Sequence, residues 1–249
     1  MIQAATLDQA RPSRVERRID TFEGHVTDFI ATFEKRAPSP QAFLVEQNPN
    51  WVTPTHFHVE HQFQVIVGGS GSLGRTPVEP FAVHYAAPET GYGPITAGPD
   101  GIAYLTLRAE GDTGAWYLHK PGVRERMRSG LKREQQHGAP SEAVRATPLT
   151  DLKSPVSEAL IAPRADGLGA WLLRLPPNQS SQVLASAPHG GRHYVVTAGL
   201  VHLGDRSLNA LSVAFADPGE TCELTAGPRG ADLLVLQFPL QARQQETLP

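Results

Sequence analysis

Residues 95–108, ITAGPDGIAYLTLR, recur 129 positions later as residues 224–237, LTAGPRGADLLVLQ. The two stretches share Thr-Ala-Gly-Pro, a following Gly and the apolar positions of their second half. An identity of this length within one chain indicates duplication rather than chance. The sequence therefore predicts two related structural units.

Two further matches extend the repeat upstream. Residues 64–74 (QVIVGGSGSLG) match residues 194–204 (YVVTAGLVHLG), and residues 81–88 match residues 211–218, both at a spacing of 130. The two spacings differ by one residue. A turn tolerates such a slip because one extra loop residue changes the free energy of folding very little, whereas the buried face of a strand fixes its register. We expect the strands of the two copies to superpose.

Each copy consists of short runs of β-branched, aromatic and leucine residues, separated by some of the 23 Gly and 22 Pro of the 249-residue chain. This punctuation is typical of many short strands, so we predict an all-β chain of two barrels or sandwiches. We place the domains at residues 1–110 and 166–249, with a linker or lid over residues 111–165. Within the linker, residues 123–136 (VRERMRSGLKREQQ) predict one short helix interrupted at Gly130.

Composition narrows the range of partners. The 22 Lys and Arg nearly balance 25 Asp and Glu, so no net field attracts nucleic acid or an anionic membrane, and we expect a small-molecule partner. Cys222 is the only cysteine, which excludes an intramolecular disulfide. The N-terminus lacks the apolar stretch of a signal peptide and no segment approaches the length of a membrane span, so we expect a cytoplasmic protein.

A pair of histidines stands in the first copy, within residues 53–74 (TPTHFHVEHQFQVIVGGSGSLG). His56 and His58 project to the same side of a strand, because side chains alternate with a period of two, and two imidazoles can then converge on one ion. Imidazole nitrogens suit Fe, Mn, Ni, Cu or Zn. We predict a divalent transition-metal site here; the alternative is a pair of ordinary histidines beside a Pro-rich turn.

This stretch resembles the first motif of the cupin superfamily, in which a His-x-His is followed by a carboxylate and by an apolar strand that ends in Gly. The resemblance implies two tandem cupin barrels (double-stranded β-helix or jelly-roll) joined by a partly helical linker. The carboxylate position falls on Gln62, whose amide oxygen is a neutral and weaker ligand, or which is instead a buried amide bonded to the barrel wall. Glu60 and His61 are close enough to substitute.

The second cupin motif normally supplies another histidine, but Pro94 stands at that point of the chain. We therefore take His84 as the replacement ligand, since the second copy has Ala214 there; the alternative is a strand histidine that only packs. In the second copy Ser186 falls opposite His56, which leaves His189, His193 and Glu223 as the components of a weaker candidate site. A degenerate structural barrel is the preferred interpretation of that copy. A spacing of four residues across a Gly-Gly turn does not determine whether His189 and His193 lie on the same face of a strand.

The resemblance implies a metal-dependent enzyme, a dioxygenase-like oxidoreductase or an isomerase, acting on an oxygen pair such as that of a diketone, enol or catechol. A Gln62 ligand would favour an anionic substrate, since the site then lacks a negative charge. We predict Glu60 as the general base, with Tyr92 or His61 as lesser options. The alternative is a non-catalytic bicupin that binds a small molecule. A storage role is disfavoured by the short chain without disulfides. The oligomeric state is left open, with a homodimer through paired or exchanged edge strands as the arrangement that the resemblance suggests.

Overall fold

Strands make up most of the regular structure, so the expectation of an all-β chain is confirmed. The computed structural model describes residues 1–31, 39–112, 114–182 and 188–240. In chain order the strands of these ranges are β1 (Ile2–Ala5), β2 (Val15–Ile19), β3 (Phe22–Ile30), β4 (Gln41–Gln47), β5 (Val52–Thr53), β6 (His56–Phe57), β7 (Gln62–Leu73), β8 (Thr76–Val78), β9 (Val83–Ala86), β10 (Ile95–Arg108), β11 (Trp116–Tyr117), β12 (Gln135–Gly138), β13 (Val156–Ile161), β14 (Gly169–Leu175), β15 (Ser180–Gln182), β16 (Arg192–Leu203), β17 (Arg206–Asn209), β18 (Val213–Ala216) and β19 (Glu223–Gln237).

Helical structure is limited to short pieces in the described ranges. Two α-helices cover Leu7–Ala10 (α1) and Glu142–Ala146 (α2), and single turns of 3-10 helix cover Arg11–Ser13, Arg124–Arg126 and Leu149–Asp151. None of these helices has the length and apolarity needed to cross a membrane.

The strands form two large antiparallel sheets. Sheet I has the order β12-β9-β7-β10-β4-β3-β2, with β5 on β10 and β8 on β7. Sheet II has the order β1-β18-β16-β19-β14-β13, with β15 on β19 and β17 on β16. The central strands β7 and β10 of sheet I are the first copies of the sequence repeat, and β16 and β19 of sheet II are the second.

Each sheet takes one outer strand from a distant part of the chain. The N-terminal β1 pairs with β18 of sheet II. The strand β12, which lies within the predicted linker at residues 111–165 (the connector), pairs with β9 of sheet I. The two sheets are thus tied together by exchanged strands. The domain boundaries at residues 110 and 166 stay a prediction.

The predicted helix over residues 123–136 was wrong. Only Arg124–Arg126 is helical there, as a single 3-10 turn, and the stretch ends in β12. The physical reason is a buried carboxylate: Glu89 forms ion pairs with Arg128 (2.5 Å) and Arg133 (3.3 Å) and also accepts from the Arg128 N–H at 2.7 Å. These contacts hold the connector against the sheet in an extended path.

The central strands are buried on both faces. Alternate residues of β7 and β10, such as Phe63 and Leu105, belong to a core shared by the two sheets. The residues between them face the interior of sheet I, where an apolar cluster includes Ile66 and Tyr104. Sheet II has its own apolar cluster, which includes Trp171. The period of two therefore divides each strand between the shared core and the inside of its own sheet.

Two glycines at matching positions let the central strands bend. Gly69 and Gly199 have φ values of +65° and +74°, which other residues adopt only with strain. A Cβ on Gly69 would lie 2.1 Å from the backbone oxygen of Gly101, and one on Gly199 would lie 2.0 Å from that of Gly230. Both sites lie where the partner strand bulges, with register shifts beside each.

We expect Gly69→Ala and Gly199→Ala each to lower the free energy of unfolding by at least about 3 kcal/mol, because a backbone clash adds to the strain of a positive φ. The control is Gly204→Ala, where φ is +59° but no atom lies within 4 Å of the added Cβ. It should cost only about 1–2 kcal/mol. Urea unfolding of the three variants measures the difference, and equal losses would contradict the clash.

Candidate functional site

A cavity of about 110 Å³ lies inside sheet I. Its wall combines alternate residues of the central strands with the His-x-His strand and the turn that carries Tyr92. The polar side chains on this wall are those of Thr53, His56, His58, Gln62, Gln64, Tyr92, Tyr104, Thr106, Arg108, Arg17 and Tyr117. We call this space the inner cavity.

The structure brings His56 and His58 together, as their spacing predicts. Both rings are buried, and their centroids lie 5.4 Å apart at 86°. The Nδ1 atom of His56 lies 2.8 Å from the backbone oxygen of Pro54, and that of His58 lies 3.2 Å from Oδ1 of Asp112. When Nδ1 donates to these oxygens, the Nε2 atom of each ring is the unprotonated nitrogen.

A hydrogen-bonded chain joins Gln62, Tyr92 and His56. The Gln62 amide donates to the Tyr92 hydroxyl at 2.7 Å, and that hydroxyl lies 3.1 Å from Nε2 of His56. Burial holds the pKa of Tyr92 well above its ordinary value, so its hydroxyl keeps its proton and donates to His56. Tyr92 is held in place by backbone hydrogen bonds in both directions with His56.

Arg108, at the end of β10, enters the same cluster. One terminal nitrogen donates to Oε1 of Gln41 at 3.0 Å, and the other donates to Oε1 of Gln62 and lies 3.1 Å from Nδ1 of His58. Sequence analysis missed this residue. The available signal was its position at the end of the repeat, where the second copy has Gln237.

Asp112, just after β10, was also missed. Its carboxylate contacts His58 and accepts the backbone N–H groups of Val59 (3.0 Å) and Gly114 (2.5 Å). Burial alone would raise the pKa of Asp112, but the hydrogen bond from His58 and the charge of Arg108 reverse this and hold it well below its usual range. A negative charge is thereby fixed behind His58.

The imidazoles of the cavity are neutral near pH 7. Burial, assisted by the neighbouring His58, lowers the pKa of His56 to about 3. Burial and the charge of Arg108 lower the pKa of His58 as well. The neutral ring is the form that binds metal ions.

Solved structures with this fold include a candidate dioxygenase from Nostoc punctiforme, which is 12% identical and covers 96% of this chain and 82% of its own, with a TM-score of 0.63. A variant of oxalate decarboxylase from Bacillus subtilis is 11% identical and covers 92% and 76%, with a TM-score of 0.58. Another structure of that decarboxylase, reported for its Mn(II) centres, is 12% identical and covers 94% and 77%, with a TM-score of 0.56. No family model and no curated protein sequence matches the chain.

Both kinds of neighbour are cupins. The chain has a cupin fold. The cupin fold expected from the His-x-His motif is therefore confirmed, whereas the two tandem barrels and the partly helical linker stay predictions. Identities this low carry no information about the activity.

His84, the predicted replacement ligand, lies behind the inner cavity of this cupin fold. Its Nδ1 atom lies 2.9 Å from Oε1 of Gln64, and its Nε2 atom lies 3.2 Å from Oε1 of Gln135. The ring packs 5.0 Å from that of Tyr92. Both nitrogens are thus used by amide groups, and Tyr92 stands between His84 and His56.

Glu60, the predicted general base, faces a different space. It lines a cleft of about 960 Å³ together with residues of the connector and of both sheets. His61 lines the same cleft, where its Nδ1 atom lies 2.6 Å from the Tyr85 hydroxyl. Of the two predicted catalytic residues, Tyr92 is the one placed in the inner cavity.

The three candidates of the second copy are not brought together. His193 is fully buried between the rings of Phe215 and Phe238, with Nε2 3.0 Å from the backbone oxygen of Arg108. His189 accepts a backbone hydrogen bond from Gly191, and Glu223 is exposed at the start of β19. Apolar residues fill the interior of sheet II.

His193 predicts an acid-sensitive stability. Burial lowers its pKa to about 4, against about 6.5 in an unfolded chain. The folded state holds the neutral ring, so its contribution is complete above pH 6.5 and is lost as the pH falls towards 4. From pH 7.5 to 5.5 we expect this side chain to lower the free energy of unfolding by about 1 kcal/mol.

Urea unfolding at the two pH values tests this expectation. His193→Gln keeps an N–H donor for the Arg108 carbonyl and should lose about 1 kcal/mol less than the wild type over this range. The control His119→Gln, at an exposed position, should behave like the wild type. An unchanged pH dependence in His193→Gln would contradict the prediction.

Proposed function

We propose that the inner cavity is the centre of a metal-dependent oxidoreductase with dioxygenase-like chemistry on a small substrate that offers a pair of oxygens. One observation carries the proposal: His56 and His58 both engage Nδ1 with an acceptor, Pro54 or Asp112. Metal-binding histidines characteristically use one nitrogen in this way, which fixes the tautomer and directs the other towards the ion. At His56 the ion would replace the hydrogen bond that Nε2 accepts from the Tyr92 hydroxyl.

Two of the donors at the inner cavity, the imidazoles of His56 and His58, suit a divalent transition metal. The Tyr92 hydroxyl and the Gln62 amide oxygen are the neighbouring oxygen donors, and both are weaker ligands than a carboxylate. In the described ranges no three His, Cys, Asp or Glu side chains form a metal cluster. His56 and His58 would therefore hold the ion, with Gln62 or Tyr92 completing the set. Bound there, a metal such as Fe, Mn, Ni, Cu or Zn supplies Lewis acidity to the substrate oxygens.

The surrounding residues have separable tasks in this proposal. Asp112 orients His58, and Gln62 orients the Tyr92 hydroxyl. Tyr92 keeps its proton at the cavity wall and would donate a hydrogen bond to a bound oxygen. The ring of Tyr117, 5.4 Å from that of His56, covers the cavity from the connector side through the pairing of β11 with β6.

A second candidate function is a metal-free binding module for a small molecule. Arg108 favours it, because its guanidinium contacts both Gln62 and His58. A positive charge among the donors opposes the binding of a cation. In this case the same cavity would bind its ligand after treatment with a chelator.

Elemental analysis distinguishes the two functions. We expect near-stoichiometric metal in the wild type, purified without a metal-binding tag, and its loss in a His56→Ala/His58→Ala double variant. A His25→Ala/His202→Ala variant removes two histidines outside the cavity and should keep the metal. Circular dichroism verifies that all three are folded. Metal absent from the wild type, even after incubation with Fe(II), Mn(II), Ni(II), Cu(II) or Zn(II), would exclude the metal-dependent function.

Asp112→Asn tests the orientation of His58. Loss of the carboxylate should weaken metal binding by about 10- to 100-fold, as observed for partners of metal-binding histidines. Competition with a chromogenic chelator measures the affinity without any assay of activity. Glu110→Gln, an exposed carboxylate two residues away, is the matched control. An affinity equal to that of the control would show that Asp112 does not position the ligand.

A further inference from the structure

Arg108 is a buried positive charge that no carboxylate contacts directly. Only 3% of the residue is exposed. Throughout the described part of the chain, no carboxylate oxygen lies within 4.0 Å of its guanidinium. The carboxylate of Asp112 acts on it from a distance, because it contacts Nδ1 of His58 and not the guanidinium. Burying a charge is unfavourable unless a partner compensates it, so an anion in direct contact with the guanidinium would stabilise this arrangement.

The contacts of Arg108 hold it in place and leave one donor unused. Its terminal nitrogens donate to the amide oxygens of Gln41 and Gln62, and the guanidinium lies 5.4 Å from the ring centroid of Phe43. One terminal nitrogen also lies 3.1 Å from Nδ1 of His58. The Nε atom is buried and has no hydrogen-bond partner. A guanidinium that is fixed by neutral groups and keeps an unused N–H can bind an anion.

Sheet II contains a related arginine–glutamine bridge between its two central strands. Gln62 and Arg108 correspond in the repeat to Arg192 and Gln237, so the two residue types are exchanged. The Arg192 Nε donates to Oε1 of Gln237 at 2.6 Å. The bridge is kept in both sheets, and in sheet I both of its residues lie on the wall of the inner cavity beside His56, His58 and Tyr92.

We propose that the inner cavity binds a small carboxylate, with Arg108 as the group that neutralises its charge. The cavity volume of about 110 Å³ sets the size. Pockets for drug-sized ligands measure roughly 300–1,000 Å³, so the small inner cavity favours an acid of a few carbon atoms. This substrate class rests on the proposed function for its chemistry, whereas the binding step needs only Arg108.

Isothermal titration calorimetry on the full chain tests the proposal, both as purified and after EDTA treatment and dialysis. The probes are sodium acetate and sodium glyoxylate, with acetamide as the neutral analogue and sodium benzoate as the larger acid. We expect saturable binding of at least one small acid, no binding of acetamide, and binding of benzoate at least tenfold weaker.

Three variants assign the binding to Arg108. Arg108→Gln should weaken binding at least tenfold, and Arg108→Lys should weaken it less because the charge remains while the planar fork is lost. Arg192→Gln alters the equivalent bridge of sheet II and should bind like the wild type. Thermal unfolding verifies that each variant is folded; should Arg108→Gln fail to fold, Arg108→Lys against Arg192→Gln makes the comparison.

The outcomes separate this inference from the proposed metal. Small acids that fail to bind the wild type, or that bind the Arg108 variants equally well, would overturn the inference even in a protein that holds metal. Acid binding that survives EDTA and depends on Arg108 would support it even in a protein whose elemental analysis shows no metal.

Discussion

The alternation of side chains along β7 and β10 is the constraint on which the site depends. Phe63 and Leu105 project into the core shared with sheet II, so the residues beside them must face the interior of sheet I. Gln62 and Arg108 are therefore fixed in the inner cavity by apolar packing on the opposite face. A shift of register by one residue would bury an amide and a guanidinium in the shared core, at a cost no contact there could offset.

The two sheets show how one backbone carries two different interiors. Where sheet I has Gln64, Tyr104 and Thr106 on the cavity wall, the repeat places Tyr194, Leu233 and Val235 in sheet II. These substitutions fill the interior of sheet II with apolar side chains. Sheet II then provides the opposite half of the shared core, and the inner cavity lies in sheet I.

Much of this arrangement could be predicted from the sequence, and the parts that could not have physical reasons. A local spacing of two residues placed His56 with His58. Asp112 lies beyond the end of β10, on a connector whose path is fixed by tertiary contacts, so no local pattern indicated that it reaches His58. The same dependence explains the helix wrongly predicted over residues 123–136, because the ion pairs of Glu89 outweigh local propensity there.

Charge balance links the metal to the ligand. A divalent ion beside Arg108 would place three positive charges in a buried space, against the single negative charge of Asp112. The neutral Gln62, where cupins have a carboxylate, adds nothing to offset them. A bound carboxylate would reduce this excess, so metal and acid should each increase the affinity for the other, as reciprocal coupling requires. In the proposed metal site, the neutral Gln62 would thus leave part of the charge compensation to the bound carboxylate.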